Sequence, residues 1–188
     1  DQKNGFKLAD PIVYTSVPTY YNDFVAGSYD VCIGSWDTFA TRYLAGVPIK
    51  MVCNISTAQM INIMAPKNGA KSVTELRGKT LAAPQSTGTY RIVRAVVQEY
   101  MNFNIEKEVT IQNVTNPAAS VALLRAGSAD AALSWEPNIT KGMVEDPRLG
   151  VIFNAGQLYK EKNGHDLAYF GVAARSSRPH LPTNRQLA

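Results

Sequence analysis

Two similar stretches of sequence decide the fold: AGSADAALSWEPNI at residues 126–139 and AGSYDVCIGSWDTF at residues 26–39. The pattern Ala-Gly-Ser-x-Asp begins at residues 26 and 126, and Ser-Trp followed by an acid begins at residues 35 and 134. In each copy a helix ends at glycine, an aspartate leads into an apolar strand-like run, and the run stops at tryptophan and an acid. The repetition predicts two units of similar construction.

Strand-like and helix-like segments alternate around these copies. The runs KTLAAP and EVTIQNV predict strands, while STGTYRIVRAVVQEYMNF at residues 86–103 has the apolar spacing of a long amphipathic helix. A polar break at residues 66–79 separates the two copies. Repeated strand–helix–strand units with short links predict an α/β protein, with mainly parallel sheets flanked by helices.

The composition and the motifs favour a binding protein over an enzyme. The chain has 188 residues, 45% of them hydrophobic, and a net charge of +4 with Lys and Arg scattered singly, which argues against nucleic-acid binding. The GKT at residues 78–80 lacks the first glycine of a phosphate-binding loop, since residue 73 is Val, and no G-x-S-x-G elbow is present. His165 and His180 have no Cys or His at ligand spacing, so neither a metal nor another cofactor is expected.

Cys32 and Cys53 both lie in apolar strand-like runs. Buried, unpaired thiols are the favoured interpretation, and a disulfide stays an alternative if the two strands are neighbours in an oxidising compartment. The chain opens with DQKNGFKLAD, without an initiator Met or a signal-peptide pattern, so we expect either a removed leader or a fragment.

The candidate ligand-binding residues follow predicted strands. In open parallel sheets, ligands bind beyond the carboxyl ends of strands, where helix N-termini present free N–H groups. The residues in such positions are Ser35, Trp36, Asp37, Ser86, Thr87, Gly88, Thr89, Tyr90, Asn116, Trp135 and Glu136.

Each candidate also has a purely structural alternative. The tryptophans could pack in a core, Asp37 could be the N-cap of its helix, and Glu136 could cap the helix after Pro137. Arg91 is expected on the solvated face of its helix, although it is close enough to the N-terminus to reach into a site.

Three motifs in series carry a family resemblance. They are L-x-G-K-x-x-A-x-P-x-x-[ST] at residues 76–87, P-A-x-x-x-x-x-L-x-x-G-x-x-D-A at residues 117–131, and W-E-P at residues 135–137. With them, residues 26–175 resemble the solute-binding proteins of ABC importers for aliphatic sulfonates, taurine and nitrate. The chain is also similar to binders of thiamine pyrimidine precursors.

The resemblance implies a two-lobe periplasmic-binding-protein-like fold joined by a two-segment hinge. Lobe 1 would comprise residues 1–62, lobe 2 residues 63–167, and residues 168–188 would return to lobe 1. The crossing segments would be residues 61–67 and 167–174. The family's first strand and helix, which also line the cleft, and its closing helices would lie outside this sequence.

The resemblance also implies a function. We expect a monomeric periplasmic or extracytoplasmic binding protein, membrane-associated if lipidated, that delivers a small anion or zwitterion to an ABC permease and its ATPase subunits. Amides near Thr87 and Asn116 would hold an acidic group, Trp36 and Trp135 would close over the organic part, and Glu136 would accept from an amine. Two alternative functions stay open: a binder of an aminopyrimidine and an effector-binding sensor domain. A pyrimidine-precursor synthase is disfavoured, because the chain lacks that group's cysteine cluster.

Overall fold

The computed structural model describes Gly5 and residues 12–176. These residues form eight strands and seven α-helices. Their bounds are α1 (Val17–Ala26), β1 (Val31–Ser35), α2 (Trp36–Leu44), β2 (Ile49–Asn54), β3 (Ile61–Pro66), β4 (Thr80–Ala83), α3 (Gly88–Met101), α4 (Ile105–Glu108), β5 (Thr110–Asn113), α5 (Pro117–Arg125), β6 (Ala131–Trp135), α6 (Asn138–Glu145), β7 (Leu149–Asn154), α7 (Ala155–Asn163) and β8 (Phe170–Arg175).

The larger sheet has five strands in the order β5-β4-β6-β3-β7. One face packs on α3, α4 and α7, through side chains such as Val93, Val97 and Leu133 that are completely buried. The other face packs on α5 and α6, through Met64, Val121 and Ile139. Both faces are therefore covered by helices, as expected of an α/β sheet.

The smaller sheet has three strands in the order β1-β8-β2. The buried aromatic side chains of Tyr21 and Phe24 on α1 and Phe39 on α2 pack with Cys32 and Ala173 against one face of it. The α/β class predicted from the sequence thus holds for both sheets.

The strand directions differ from the expected mainly parallel sheets. β4 runs parallel to β5 and β6, but β3 runs antiparallel to β6 and β7, and β8 runs antiparallel to β1 and β2. The reason is that β3 and β8 each begin at the end of the sheet where a neighbouring strand finishes. Ile61 at the start of β3 pairs with Trp135 at the end of β6, and Phe170 at the start of β8 pairs with Ser35 at the end of β1.

The connections between the two sheets also lie earlier than expected. Residues 61–66 belong entirely to the larger sheet, and the predicted lobe boundary at residue 62 falls inside β3, because Ile61 and Ile63 are buried in the core of that sheet. The chain crosses instead at residues 55–60 and 164–169.

The two crossing segments pair with each other. Ala58 N donates to Leu167 O at 2.8 Å and Tyr169 N donates to Ser56 O at 2.9 Å, around an antiparallel bridge between Thr57 and Ala168. We call residues 55–60 and 164–169 the crossing ribbon. The full division into lobes at residues 1–62, 63–167 and 168–188 stays a prediction.

Several local expectations changed. The run DPIVYTSV at residues 10–17 is rich in β-branched residues and predicts a strand. Residues 10 and 11 lie outside the described residues, residues 12–16 form no strand, and Val17 begins α1. Cys32 is buried as expected, but Cys53 is exposed, and both thiols are free. β8 lies between their strands, and strands two positions apart are separated by about 9–10 Å, which is beyond the reach of a disulfide. No helix in the described part of the chain is long and apolar enough to cross a membrane.

We predict that Gly156→Ala destabilises the protein, because Gly156 on α7 holds the first crossing segment. A Cβ at this residue would overlap the backbone of Ala58 and Gln59. Overpacking of this kind costs about 1–3 kcal/mol in the free energy of unfolding, which urea denaturation measures. The matched control is Gly150→Ala, whose Cβ would lie 3.5 Å from the flexible Lys67 side chain. An equal loss in both variants would contradict the prediction.

Candidate functional site

The N-terminus of α3 provides the first part of the candidate site. β4 ends at Ala83, and the Thr87 side chain caps the helix by accepting from Tyr90 N at 3.5 Å while donating to Pro84 O at 2.7 Å. In the described part of the chain, the N–H groups of Gly88 and Thr89 meet no protein acceptor, as is usual for a first helical turn. These two amides carry the partial positive charge of the helix N-terminus.

The end of β1 lies directly against this helix. Tyr21 fixes it by accepting from Ser35 N through its hydroxyl at 2.9 Å, and Ser35 Oγ donates to Thr38 Oγ1 at 2.7 Å. A Cβ on Gly88 would overlap Ser35 Oγ and Asp37 Oδ1. Glycine at residue 88 therefore allows the smaller sheet to approach the first residue of α3.

An ion pair joins the two sheets at this point. Arg91 on α3 contacts Asp37 on α2, with 2.6 Å between Nε and Oδ2, and Arg91 Nη2 donates to Thr38 Oγ1 at 2.7 Å. The Asp37 side chain is 15% exposed, and its Oδ1 is buried with no hydrogen-bond partner among the described residues. The carboxylate thus lies beside both a guanidinium and a helix N-terminus, and both stabilise its negative charge.

A second contact runs through the crossing ribbon. The Tyr169 hydroxyl hydrogen-bonds to Thr89 Oγ1 on α3, and Tyr169 O accepts from Trp36 N at 3.0 Å. Burial raises the pKa of the Tyr169 phenol, so it stays protonated and can donate. Tyr169 therefore contacts the first residue of α2 and the first turn of α3 at once.

The third contact is made by Asn116. Its side-chain oxygen accepts from Ala119 N at 2.9 Å, so it is the N-cap of α5 with Pro117 at the first turn, as the sequence predicts. Its Nδ2 donates to Thr15 O at 3.1 Å, just before α1. Asn116 therefore touches the chain segment that leads into the smaller sheet's helices.

The two tryptophans have different surroundings. Trp135 is half-buried at the end of β6, with its ring edge-on to Phe170 at 6.1 Å between centroids. Trp36 is 37% exposed and lines two surface cavities, neither of which includes Trp135 among the described residues. Closure of both rings over one ligand stays a prediction.

The remaining candidates occupy clear positions. Glu136 Oε2 accepts from Thr140 N at 3.1 Å in the first turn of α6, which is the capping alternative. Asp37 is not an N-cap, because α2 begins at Trp36 and residue 35 takes the N-cap position. Tyr90 is buried in the core, and its hydroxyl faces Glu106 on α4. Ser86 is exposed, and its carbonyl accepts from Arg91 Nη1 at 3.4 Å.

The sequence analysis did not identify four contributors to the candidate site. They are Thr38, Tyr21, Tyr169 and the contact that Arg91 makes with the other sheet. The only available signal was that Arg91 follows the Ser-Thr-Gly-Thr turn closely enough to reach past it. The described residues contain no group of three or more His, Cys, Asp or Glu side chains placed to hold a metal ion.

Comparison with known proteins identifies the family. The sequence profile described as NMT1/THI5 like matches residues 18–179. The chain belongs to this family. A search of curated protein sequences finds no significant match.

Solved structures share the fold of this family member. The alkanesulfonate-binding protein SsuA from Xanthomonas axonopodis pv. citri, bound to MOPS, has 18% identity and a TM-score of 0.68, over 86% of this chain and 53% of its own. The periplasmic aliphatic sulphonate binding protein SsuA from Escherichia coli has 17% identity and a TM-score of 0.66, with the same coverages of 86% and 53%. The ligand binding component of an ABC-type import system from Staphylococcus aureus, with zinc bound, has 13% identity and a TM-score of 0.67, over 86% and 53%.

These structures confirm the periplasmic-binding-protein-like fold expected from the sequence. The chain spans about half the length of the solved structures that it matches.

We predict that Arg91→Ala destabilises the protein more than Arg94→Ala. The first substitution leaves the shielded Asp37 carboxylate without its cation, at a cost of about 1–3 kcal/mol in the free energy of unfolding. Arg94, on the same helix, pairs with Glu106 where both side chains are nearly half exposed, so its loss costs at most about 1 kcal/mol. Equal costs in urea denaturation would show that the Arg91 pair contributes no more than a surface pair.

Proposed function

We propose that this protein is the substrate-binding component of an ABC importer and not an enzyme. It binds a small anion or zwitterion between its two sheets, outside the cytoplasm, and delivers it to a membrane permease with its ATPase subunits. Family membership and the shared fold support this role, and so does the periplasmic location of the Escherichia coli relative.

One observation carries the proposal. The first residue of α3, whose amide has no acceptor among the described residues, lies against Ser35 at the end of β1 and Asp37 on α2, and a pair of crossing segments joins the two sheets. A ligand at this junction touches both sheets only when they are close together. Binding would therefore favour the closed arrangement over an open one, which is the basis of capture by closure.

The proposed ligand site contains the residues predicted from the sequence, of which Ser35, Asp37 and Gly88 meet at the junction. The predicted residues are Ser35, Trp36, Asp37, Ser86, Thr87, Gly88, Thr89, Tyr90, Asn116, Trp135 and Glu136. The α3 amides would hold an acidic group. Asp37 would accept from an ammonium group, since its Oδ1 has no hydrogen-bond partner among the described residues.

We predict that a thermal-shift screen identifies the ligand class. A ligand at 100 times its Kd adds about 2.7 kcal/mol to the stability of the folded state, which raises the Tm of a chain of this size by about 5–10 °C. The panel should contain taurine, MOPS, nitrate and an aminopyrimidine, and mass spectrometry should identify any solute that co-purifies. Absence of any shift at millimolar concentrations, with no co-purified solute, would contradict the proposal.

We predict that Asp37→Asn has opposite effects on the binding of a zwitterion and of a simple anion. Removal of this negative charge beside the α3 N-terminus should strengthen the binding of nitrate, because the carboxylate repels an anion there. The same change should weaken the binding of taurine, because the carboxylate would hold its ammonium group. Isothermal titration of both ligands with both proteins measures the two effects. Unchanged affinity for every ligand would place the binding site away from Asp37.

A further inference from the structure

One of the two surface cavities lined by Trp36 lies along α3, beyond its first turn. It has a volume of about 290 Å³ and is formed between the outer surface of α3, the helix α7 and Trp36. We call it the Trp36 cavity. A volume of this size is close to the lower limit of small-molecule sites, which enclose about 300–1,000 Å³.

One face of α3 forms the floor of the Trp36 cavity. Ile92, Val96, Glu99 and Tyr100 line it, and their spacing of three to four residues places them on the same side of the helix. Ile92 and Val96 are buried and also belong to the core of the larger sheet, so the floor is a rigid, apolar surface.

Aromatic rings form the walls. Tyr100 and Tyr159 lie edge to face, with 6.2 Å between ring centroids, and the Tyr100 hydroxyl accepts from Asn163 Nδ2 at 2.8 Å. Tyr159 also contacts the ring of His165 at 5.6 Å. The two tyrosines are therefore held in place by neighbouring side chains, while the partly exposed Trp36 ring is available to a ligand.

Glu99 is the only charged residue among the described residues that line the cavity. It forms no ion pair or hydrogen bond with another described residue. Three aromatic rings and one unpaired carboxylate line this cavity, and carboxylates and aromatic ring faces are the groups that attract an organic cation.

We propose that the Trp36 cavity binds a small organic ammonium ion. Its alkyl or aryl groups contact Trp36, Tyr100 and Tyr159, and its positive nitrogen lies near Glu99. The cavity shares Trp36 with the proposed anion or zwitterion site, but its other lining residues are not part of that site. It joins both parts of the molecule, because Trp36 begins α2, next to the smaller sheet, and Tyr159 lies on α7, next to the larger one.

Isothermal titration tests the proposal by comparing choline with its neutral isostere, 3,3-dimethylbutan-1-ol. Choline is expected to bind at least about fivefold more tightly than the neutral compound, because only the cation gains from Glu99 and the ring faces. Equal affinities, or no binding of choline at millimolar concentrations, would overturn the proposal.

Variants identify the site. Glu99→Gln should reduce the affinity for choline about fivefold or more and leave the affinity for the neutral isostere unchanged. Tyr159→Leu should weaken the binding of both compounds, whereas Tyr159→Phe should leave their binding unchanged. This pair of variants distinguishes loss of the aromatic ring from loss of folding. The matched control is Glu161→Gln, an exposed glutamate on α7 that contacts only Gln157 among the described residues. An equal effect of Glu99→Gln and Glu161→Gln would show non-specific charge attraction and overturn the assignment.

Discussion

The pairing of the two crossing segments is the constraint on which the rest of the structure depends. Residues 55–60 and 164–169 are more than 100 positions apart in sequence, yet they hydrogen-bond to each other as an antiparallel ribbon. The first segment continues into β3, whose first residue pairs with the end of β6. The second continues into β8, whose first residue pairs with the end of β1. The ribbon therefore brings the carboxyl ends of β1 and β6 to the same junction.

The charges at this junction balance one another. The helix N-terminus and Arg91 are positive, and the Asp37 carboxylate lies beside both of them. A ligand with a single negative charge would have to compete with this carboxylate, whereas a ligand with both charges could contact both partners. In the proposed site, the contact between the sheets would therefore affect the selectivity for ligands.

The sequence predicted those features that depend on local pattern. The amphipathic run beginning at residue 86 became α3, Asn116 with Pro117 started α5, and the two Ser-Trp-acid motifs each lie at the end of a strand. The position of the crossing ribbon could not be predicted, because it depends on a pairing between Thr57 and Ala168 that leaves no local signal.

The same reason explains why the main contact of the candidate site could not be predicted. The helical spacing of Arg91 predicts a solvated position, since periodicity describes only the helix itself, and the partner of Arg91 comes from another part of the chain. Glu136 shows the opposite case. Its capping contact is local, within four residues, and the sequence already offered that alternative.

The central position of β8 in the smaller sheet has a consequence for the order in which the protein is assembled. The larger sheet is built from one continuous stretch, residues 61–154, whereas β1 and β2 have no pairing with each other and each pairs with β8. On the ribosome, the chain can complete the larger sheet while the smaller one still lacks its middle strand. The amino-terminal strands, although synthesised first, therefore cannot complete their sheet until residues 170–175 are available.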